Sequence, residues 1–405
     1  VVSSRKKSVS PMESCSVLIV GGGPAGLTIA RWIGKGAIVV HKDAEIGLPV
    51  RTSGGSWKSH IDALGLPASL YQVINSLRFA TDDEERLFDF DREKAVVLDV
   101  TGTYRHLAAH AEAAGAMVRC QQKFASIDME TADHVVSTIE NGNDSYQVKS
   151  KVVIDASGYW RAVMSYVDKG IYDRHGIGAA YEYEDLSPRH DIATLLVGGR
   201  YTNPGYGWVF PTNKKTVRVG VGHARPDTLL SPKISLEKLV HSDYLASIAI
   251  RTGACVSKHG GVIPNWGPCT QFGRGRIIGV GDSVGQALPT VGEGIRYCIE
   301  VGNYVGNLLA DCVRNNGNPE AVTASYTKWW NKRYRKSFNA SQWLNEKISG
   351  YTNADWNRGL HRLARVRPDD FAKMLQADIS PTVALRIAIA NRDLPGKILK
   401  VVTGK

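Results

Sequence analysis

Gly281-Asp282-Ser283-Val284-Gly285-Gln286-Ala287-Leu288-Pro289-Thr290-Val291-Gly292-Glu293-Gly294-Ile295 decides how this chain folds, once it is set beside Gly21-Gly22-Gly23-Pro24-Ala25-Gly26 near the other end. The upstream glycines follow Val17-Leu18-Ile19-Val20, a short β-branched run of the kind found in buried parallel strands. Gly21 permits a tight turn, Gly23 lets the backbone approach a pyrophosphate, and Gly26 lets a helix pack close to the strand. The helix that follows, Leu27-Thr28-Ile29-Ala30-Arg31-Trp32, would aim its N-terminal amides at the phosphates. Strand, glycines and helix in that order predict a dinucleotide site built by Gly21, Gly23, Pro24, Ala25 and Gly26. The bland alternative is a structural turn.

The downstream stretch says which dinucleotide. Ile277-Ile278-Gly279-Val280 is again a buried strand, and Gly281-Asp282 sets an acid at its carboxyl end, where open α/β sheets hold ligands. Asp282 would accept a hydrogen bond from a ribityl chain. Pro289 to Gly294 opens a helix that runs through Cys298. Its glycines let backbone N–H groups face the N1 and C2 carbonyl of a flavin, where they stabilise negative charge on the reduced ring. FAD is therefore the expected cofactor, held here by Gly281, Asp282, Pro289, Gly292, Glu293, Gly294 and Ile295. A plain helix-capping loop is the competing reading.

Other segments are assigned to the same cofactor. The second strand, Ala37-Ile38-Val39-Val40, ends where a ribose-binding carboxylate is expected, and His41 stands there, followed by Lys42, Asp43, Ala44 and Glu45. His41 and Lys42 are assigned to the cofactor, with Asp43 or Glu45 as substitutes and a solvated strand end as the alternative. The glycine-rich loop from Gly47 to Gly55 carries Arg51 and Thr52, assigned to the ring or the phosphates. Ser145 to Val148 and Lys151 to Ile154 read as paired strands leading to Asp155-Ala156-Ser157-Gly158. Asp155 and Gly158 are placed near the pyrophosphate, and an ordinary strand-to-loop turn is equally open.

The 405 residues suffice for two or three structural units sharing one large core. A hydrophobic share of 43% and a charged share of 22% are those of a soluble globular protein. No apolar run approaches the roughly 18 residues of a membrane span, and no secretory signal opens the chain, so a cytoplasmic setting is expected. Cys15, Cys120, Cys255, Cys269, Cys298 and Cys312 lack paired metal spacing and fit reduced thiols, and no metal is expected. The net charge is +11, part of it from Lys328, Lys332, Arg333, Arg335, Lys336, Arg358, Arg362, Arg365 and Arg367. These bases read either as a solvated helical face or as attraction to an anionic membrane or a polyphosphate. The aromatics do not interleave with them, so nucleic acid is not an expected partner.

The predicted fold class is α/β: a Rossmann-like FAD-binding domain interrupted by an antiparallel β-sheet substrate domain, with a helical C-terminal region. The expected units are a flexible tail at 1–14, the first part of the FAD domain at 15–175 with small inserted strands near 71–100, the antiparallel sheet at 176–265, the second part of the FAD domain at 266–325, and helices at 326–405. Within the first part, Tyr104 to Ala114 reads as a helix stopped by Gly115. The sheet is read from β-rich runs at 177–183, 193–198, 206–210 and 216–221. Period-two geometry puts Tyr206, Trp208 and Phe210 on one face. They form either an aromatic wall that suits an elongated apolar substrate, or sheet core.

Taken in order, the first glycine loop, the Asp155 segment, the run Tyr206-Gly207-Trp208-Val209-Phe210-Pro211 and the run from Gly281 to Ile295 resemble the geranylgeranyl reductase family. That family belongs to the FAD-dependent group with the p-hydroxybenzoate hydroxylase fold, and the resemblance spans residues 15 to about 330. It implies that reduced FAD gives hydride to one carbon of a C=C bond in a prenyl or other apolar substrate, while a proton reaches the other carbon. Thr52 stands where several lipid-reducing members carry a cysteine, and Val100 where an arginine is often found. The alternatives are an FAD-dependent monooxygenase acting on a specialised small molecule, and a non-catalytic FAD-stabilised binding protein. Tyr206, His223 and Glu293 are the candidate proton donors. No second glycine-rich nucleotide loop is visible, so NAD(P)H or another electron donor would bind transiently. Trp329, Trp330, Trp343 and Trp356 of the helical tail would cap a substrate tunnel, touch lipid in a peripheral membrane contact, or pack as core.

Overall fold

The computed structural model describes residues 12–170 and 172–391. The expected flexible tail lies almost wholly outside the described residues, and Glu13 and Ser14 already belong to the first strand, Glu13–Val20. That strand is central to a mixed sheet ordered Gly273–Arg274, Ile277–Gly279, Asp144–Asp155, Glu13–Val20, Ala37–Val40, Met117–Arg119. Its pairings with Asp144–Asp155 and Ala37–Val40 are parallel. Val17, Leu18, Ile19, Ile38, Val39, Val153 and Ile154 are fully buried, as expected for strands covered on both faces.

Asp144–Asp155 is one strand, not the expected pair. Its first half pairs antiparallel with Val135–Asn141 and its second half parallel with Glu13–Val20. Lys149-Ser150-Lys151 looks polar enough to turn, yet Ser150 is buried between two exposed lysines, so the alternation runs through without a break.

The second sheet has the order Thr252–Pro264, His175–Asp185, Thr216–Arg225, Gly205–Pro211, Ile192–Leu196, Ser76–Ala80, Glu85–Asp89. Five of its six strand pairings are antiparallel. The exception is Ile192–Leu196 beside Ser76–Ala80, a parallel pair that recruits the segment near residue 80 into the sheet. A third, small sheet joins Gly55–Trp57, Ala95–Leu98 and Tyr71–Ile74.

Two helices bring the distant loops together. Pro24–Ile33 leaves the first glycine loop, and Ile295–Arg314 leaves the second. They cross closely because the longer helix has glycines at the contact. A Cβ at Gly302 would lie 2.6 Å from Thr28 Cβ, and one at Gly306 would lie 2.7 Å from the Trp32 ring. Beyond them come Pro319–Arg333, Arg335–Ser349, Asn353–Leu363, Pro368–Leu375 and Pro381–Ala390. Among the described residues, no helix is long and apolar enough to cross a membrane.

Candidate functional site

The first glycine loop has the geometry its sequence demands. Gly21 has φ +113, and a Cβ there would meet the Ala156 carbonyl oxygen at 2.1 Å. A Cβ at Gly26 would lie 2.3 Å from the Gly21 carbonyl oxygen. Gly23 is different: nothing stands within 4 Å of where its Cβ would be. Gly23 is also the N-cap of Pro24–Ile33, and no side chain caps that helix. The open space and the free amides of Pro24–Ile33, whose first turn includes Ala25, suit a pyrophosphate.

His41 supports this loop. The Gly22 amide donates to His41 Nδ1 at 3.3 Å, and burial lowers the imidazole pKa. The neutral ring thus accepts at Nδ1 and presents Nε2–H, a donor where a carboxylate would be an acceptor. Asp43 gathers the neighbouring bases: Arg51 grips it bidentately at 2.8 and 3.0 Å, and Lys42 reaches it at 2.8 Å. Partial burial opposes ionisation of Asp43, but these cations hold its carboxyl below the usual range. Lys42 and Arg51 therefore converge on the end of the second strand. Thr52 continues into the cavity described below.

Asp155 is fully buried and saturated by its own chain. It accepts from Ser157 N and Oγ, and from the amides of Val163 and Met164 at 2.8 and 2.6 Å. Its contribution is to shape the loop that carries Gly158, whose φ is +75 and whose Cβ position is open.

The second loop lies against the first. A Cβ at Gly281 would meet Cys298 Sγ at 2.8 Å and Ala25 Cβ at 3.6 Å. The Asp282 side chain accepts no hydrogen bond from the described residues, and burial lifts its pKa to about 6. Asp282 Oδ1 lies 3.3 Å from a Cβ placed on Gly294, the N-cap of Ile295–Arg314, which no side chain caps. An unpartnered carboxylate beside uncapped helix amides, with an open pyrophosphate cradle behind it, fits the donors and acceptors of FAD. Tyr104 sits near enough to Asp282 and Cys298 to feel their charge, and burial pushes its phenol well above the ordinary value. Sequence reading missed Tyr104, because only the folded helix Val100–Ala113 aims it at the site.

The turn from Leu288 to Glu293 is tight: Gly292 N donates to Leu288 O and Leu288 N to Glu293 O, both at 2.8 Å. Pro289 lies buried in this turn. Glu293 is buried, accepts from Ser56 Oγ at 2.6 Å, and pairs with Arg296 at 2.9 Å. Thr290 is tied through its amide and hydroxyl to Ser341 of Arg335–Ser349, each at 3.0 Å. The C-terminal helices are thereby fastened to the turn from Leu288 to Glu293. No sequence signal marked Ser56, Arg296 or Ser341.

Tyr206, Trp208 and Phe210 share one sheet face, with ring centroids 5.7 and 6.5 Å apart. The Trp208 indole lies over a glycine lane, and a Cβ at Gly220 would enter it at 2.2 Å. Tyr206 OH donates to Val291 O at 2.7 Å, so the sheet touches the Leu288–Glu293 turn there. Burial pushes this phenol up to about 12. His223 is paired in register with Gly205, one residue out of phase, so its ring is on the other face. There His223 Nε2 meets Ser235 Oγ of Pro232–Val240 at 3.0 Å. Tyr206 and Glu293 are brought together at the loop; the His223 ring is not.

A cavity of about 530 Å³ opens from this point. The end nearest the Leu288–Glu293 turn is bounded by Thr52, Ser56, Tyr206 and the 292–294 backbone, and its walls include Phe79, Leu195, Phe210, Leu344, Leu363 and Ile387. Trp343 and Trp356 also line it, whereas Trp329 and Trp330 pack into the core beneath the first sheet. A smaller space of about 120 Å³ adjoins it across Tyr206 and contains Trp208 and Arg51.

Comparison with known proteins agrees with this geometry. The FAD binding domain family model matches residues 14–335. Digeranylgeranylglycerophospholipid reductase of Thermoplasma acidophilum is 26% identical over 362 residues, covering 84% of this chain and 88% of the relative. The enzyme of the same name from Methanocella arvoryzae is 22% identical over 397 residues, covering 94% and 98%. The crystal structure of a geranylgeranyl bacteriochlorophyll reductase-like protein from Thermoplasma acidophilum has the same fold, with a TM-score of 0.78 at 22% identity, covering 95% of this chain and all of that one.

Proposed function

The chain belongs to the FAD binding domain family, and on that premise we propose that it is a reductase which saturates a carbon–carbon double bond in a prenyl or similarly elongated apolar substrate. The observation that carries this reading is the cavity of about 530 Å³, which starts at the Leu288–Glu293 turn, assigned here to the flavin and called the flavin loop, and is walled by aliphatic and aromatic side chains. The reductase names of the relatives support it. A substrate of this kind is carried in lipid, and the reading includes peripheral contact with a membrane.

Bound and reduced, FAD supplies the two electrons of the reduction. The protein's own tasks are binding, orientation and proton supply. Gly23, Gly158, Asp282 and the uncapped start of Ile295–Arg314 hold the cofactor. Phe210 and the aliphatic walls align the chain and keep water out. Tyr206 fits the role of proton donor: its hydroxyl stands at the flavin end of the cavity, and a phenol at about 12 remains protonated at neutral pH. Glu293 orients the flavin loop through Ser56 and Arg296.

The test is anaerobic. Chemically reduced holoenzyme is mixed with a polyprenyl substrate, and flavin reoxidation is followed together with product mass. Stoichiometric reoxidation with a gain of two hydrogens is expected. Product that appears only with dioxygen would overturn the reading in favour of oxygenation.

A further inference from the structure

The segment that leaves the cavity wall forms an exposed aliphatic knob. Ala224 lines the cavity, and the chain then turns outward to Ser231, the N-cap of Pro232–Val240. Leu229 is 89% exposed, Leu230 51% and Ile234 72%. Water-exposed aliphatic side chains are ordinary singly, but three within six residues form a patch that calls for a partner.

The knob is built rather than loose. Arg225 donates to the carbonyls of Thr228 and Leu230, and Arg174 pairs with Asp227 at 2.8 Å. The loop backbone is thus braced from both sides while its leucines point outward. The helix that follows carries two exposed lysines. Lys233 is exposed and has no ion-pair partner among the described residues. Lys238 lies against the Arg200 carbonyl at 2.8 Å, and Lys258 lies over the Tyr181 ring. Glu237 is the one acid of this helix, and the Tyr181 hydroxyl donates to it. His241, beside Glu237, ends the helix.

We propose that Leu229, Leu230 and Ile234, flanked by the exposed Lys233 and Lys238 of the same helix, dock the protein on an anionic lipid bilayer. Aliphatic side chains enter the acyl boundary while lysines remain at the headgroups, and the net charge of +11 adds long-range attraction. Three side chains fall far short of the roughly 800 Å² per partner of a stable protein interface, so insertion into lipid fits them better than a second copy. The proposal deepens the reading of a lipid-borne substrate and rests on it for its purpose.

Flotation of the full-length holoprotein with vesicles tests it. Wild type is expected to float with phosphatidylcholine–phosphatidylglycerol vesicles and much less with phosphatidylcholine alone, and salt should weaken the binding. The triple variant L229S/L230S/I234S is expected to lose at least about tenfold in partition. Lys233→Glu should lose less, and only with anionic vesicles. Turnover on detergent-dispersed substrate and mass by light scattering should be unchanged. Undiminished binding by the triple variant overturns the proposal. So does a wild-type dimer that the triple variant dissociates, which would assign the knob to a second copy. Absence of turnover in detergent by every form would instead sink the reductase reading and leave the vesicle result standing.

Discussion

The nucleotide half and the substrate half of this molecule use opposite chemistry. On the proposed reading, the backbone around Gly21–Gly26 and Gly281–Gly294 does most of the binding, with Asp282 as the side chain that joins it, and at Gly21, Gly26 and Gly281 a Cβ would meet its neighbours at 2.1, 2.3 and 2.8 Å. Around the cavity, on the same reading, the side chains would do the binding, and what counts is their volume and apolarity. The first half is therefore intolerant of substitution at a few points, and the second tolerant at many. Gly21→Val is the strongest challenge to that contrast. Its Cβ would fall 2.1 Å from a backbone oxygen at φ +113, so nothing flexible can yield. We expect loss of bound FAD and about 5 kcal/mol of stability, the upper end for one substitution. Visible flavin absorbance of the purified protein and urea unfolding measure both; a yellow, stable variant would break the comparison.

Glu293 sits where the halves meet. It and Arg296 form a buried pair, with side chains 4% and 5% exposed. Glu293→Ala leaves a buried guanidinium without its counter-charge, and should cost about 3–5 kcal/mol. The double variant E293Q/R296M should recover most of that. If it does not, the pair specifies the flavin loop itself rather than merely neutralising charge.

Gly220→Ala sharpens the contrast from the other side. The clash is as close on paper as at Gly21, with Trp208 at 2.2 Å. Here, however, the obstacle is a ring bordering an open space, and rings can tilt. The expected cost is about 1–3 kcal/mol, with FAD retained and KM for the apolar substrate raised. Loss of flavin would show that the sheet and the nucleotide loops are more tightly coupled than their chemistry suggests.

What the sequence disclosed follows the same division. Gly21, Gly26 and Gly281 were legible because positive φ and close backbone approach leave glycine nearly alone as a solution. The common face of Tyr206, Trp208 and Phe210 was legible because strand periodicity is local. His223 was misleading, because its face depends on the register Gly205–His223, which no local pattern encodes. The helix starts at Val100 rather than Tyr104 because Asp99 caps it by accepting from Gly102 N. The cavity was the least legible. Its C-terminal walls come from helices whose basic outer faces dominate the sequence, while single apolar positions such as Leu344, Leu363 and Ile387 meet only in the fold.

Asp282 offers a smaller effect with a definite sign. Burial lifts its carboxyl to about 6, above the roughly 3.9 of an unfolded chain. The cofactor-free fold is therefore favoured at low pH and loses this contribution as pH rises from about 4 through about 6. Hydrogen bonds donated by a ribityl chain would favour the ionised form and lower that pKa. FAD binding should then release a proton, and its affinity should rise on the order of tenfold from about pH 5 to about pH 7. Fluorescence titration of FAD measures this, and Asp282→Asn should flatten the profile. A flat wild-type profile would mean that the carboxylate does not meet the cofactor.

The gentlest test belongs to the cavity. Ile387 is buried, packs with Val383 and Phe371, and lines the far wall. Ile387→Val removes one methylene from a surface that borders open space on one side, so neighbours lose few contacts. The expected cost is about 0.5–1.5 kcal/mol, with FAD content unchanged and a shift of less than about threefold in KM toward longer or bulkier chains. Thermal unfolding and a chain-length series measure the two effects separately. A cost near that of Gly21→Val would mean that the cavity is as strictly specified as the nucleotide loop, and the division between backbone-built and side-chain-built halves would fail at the point where it predicts the most tolerance.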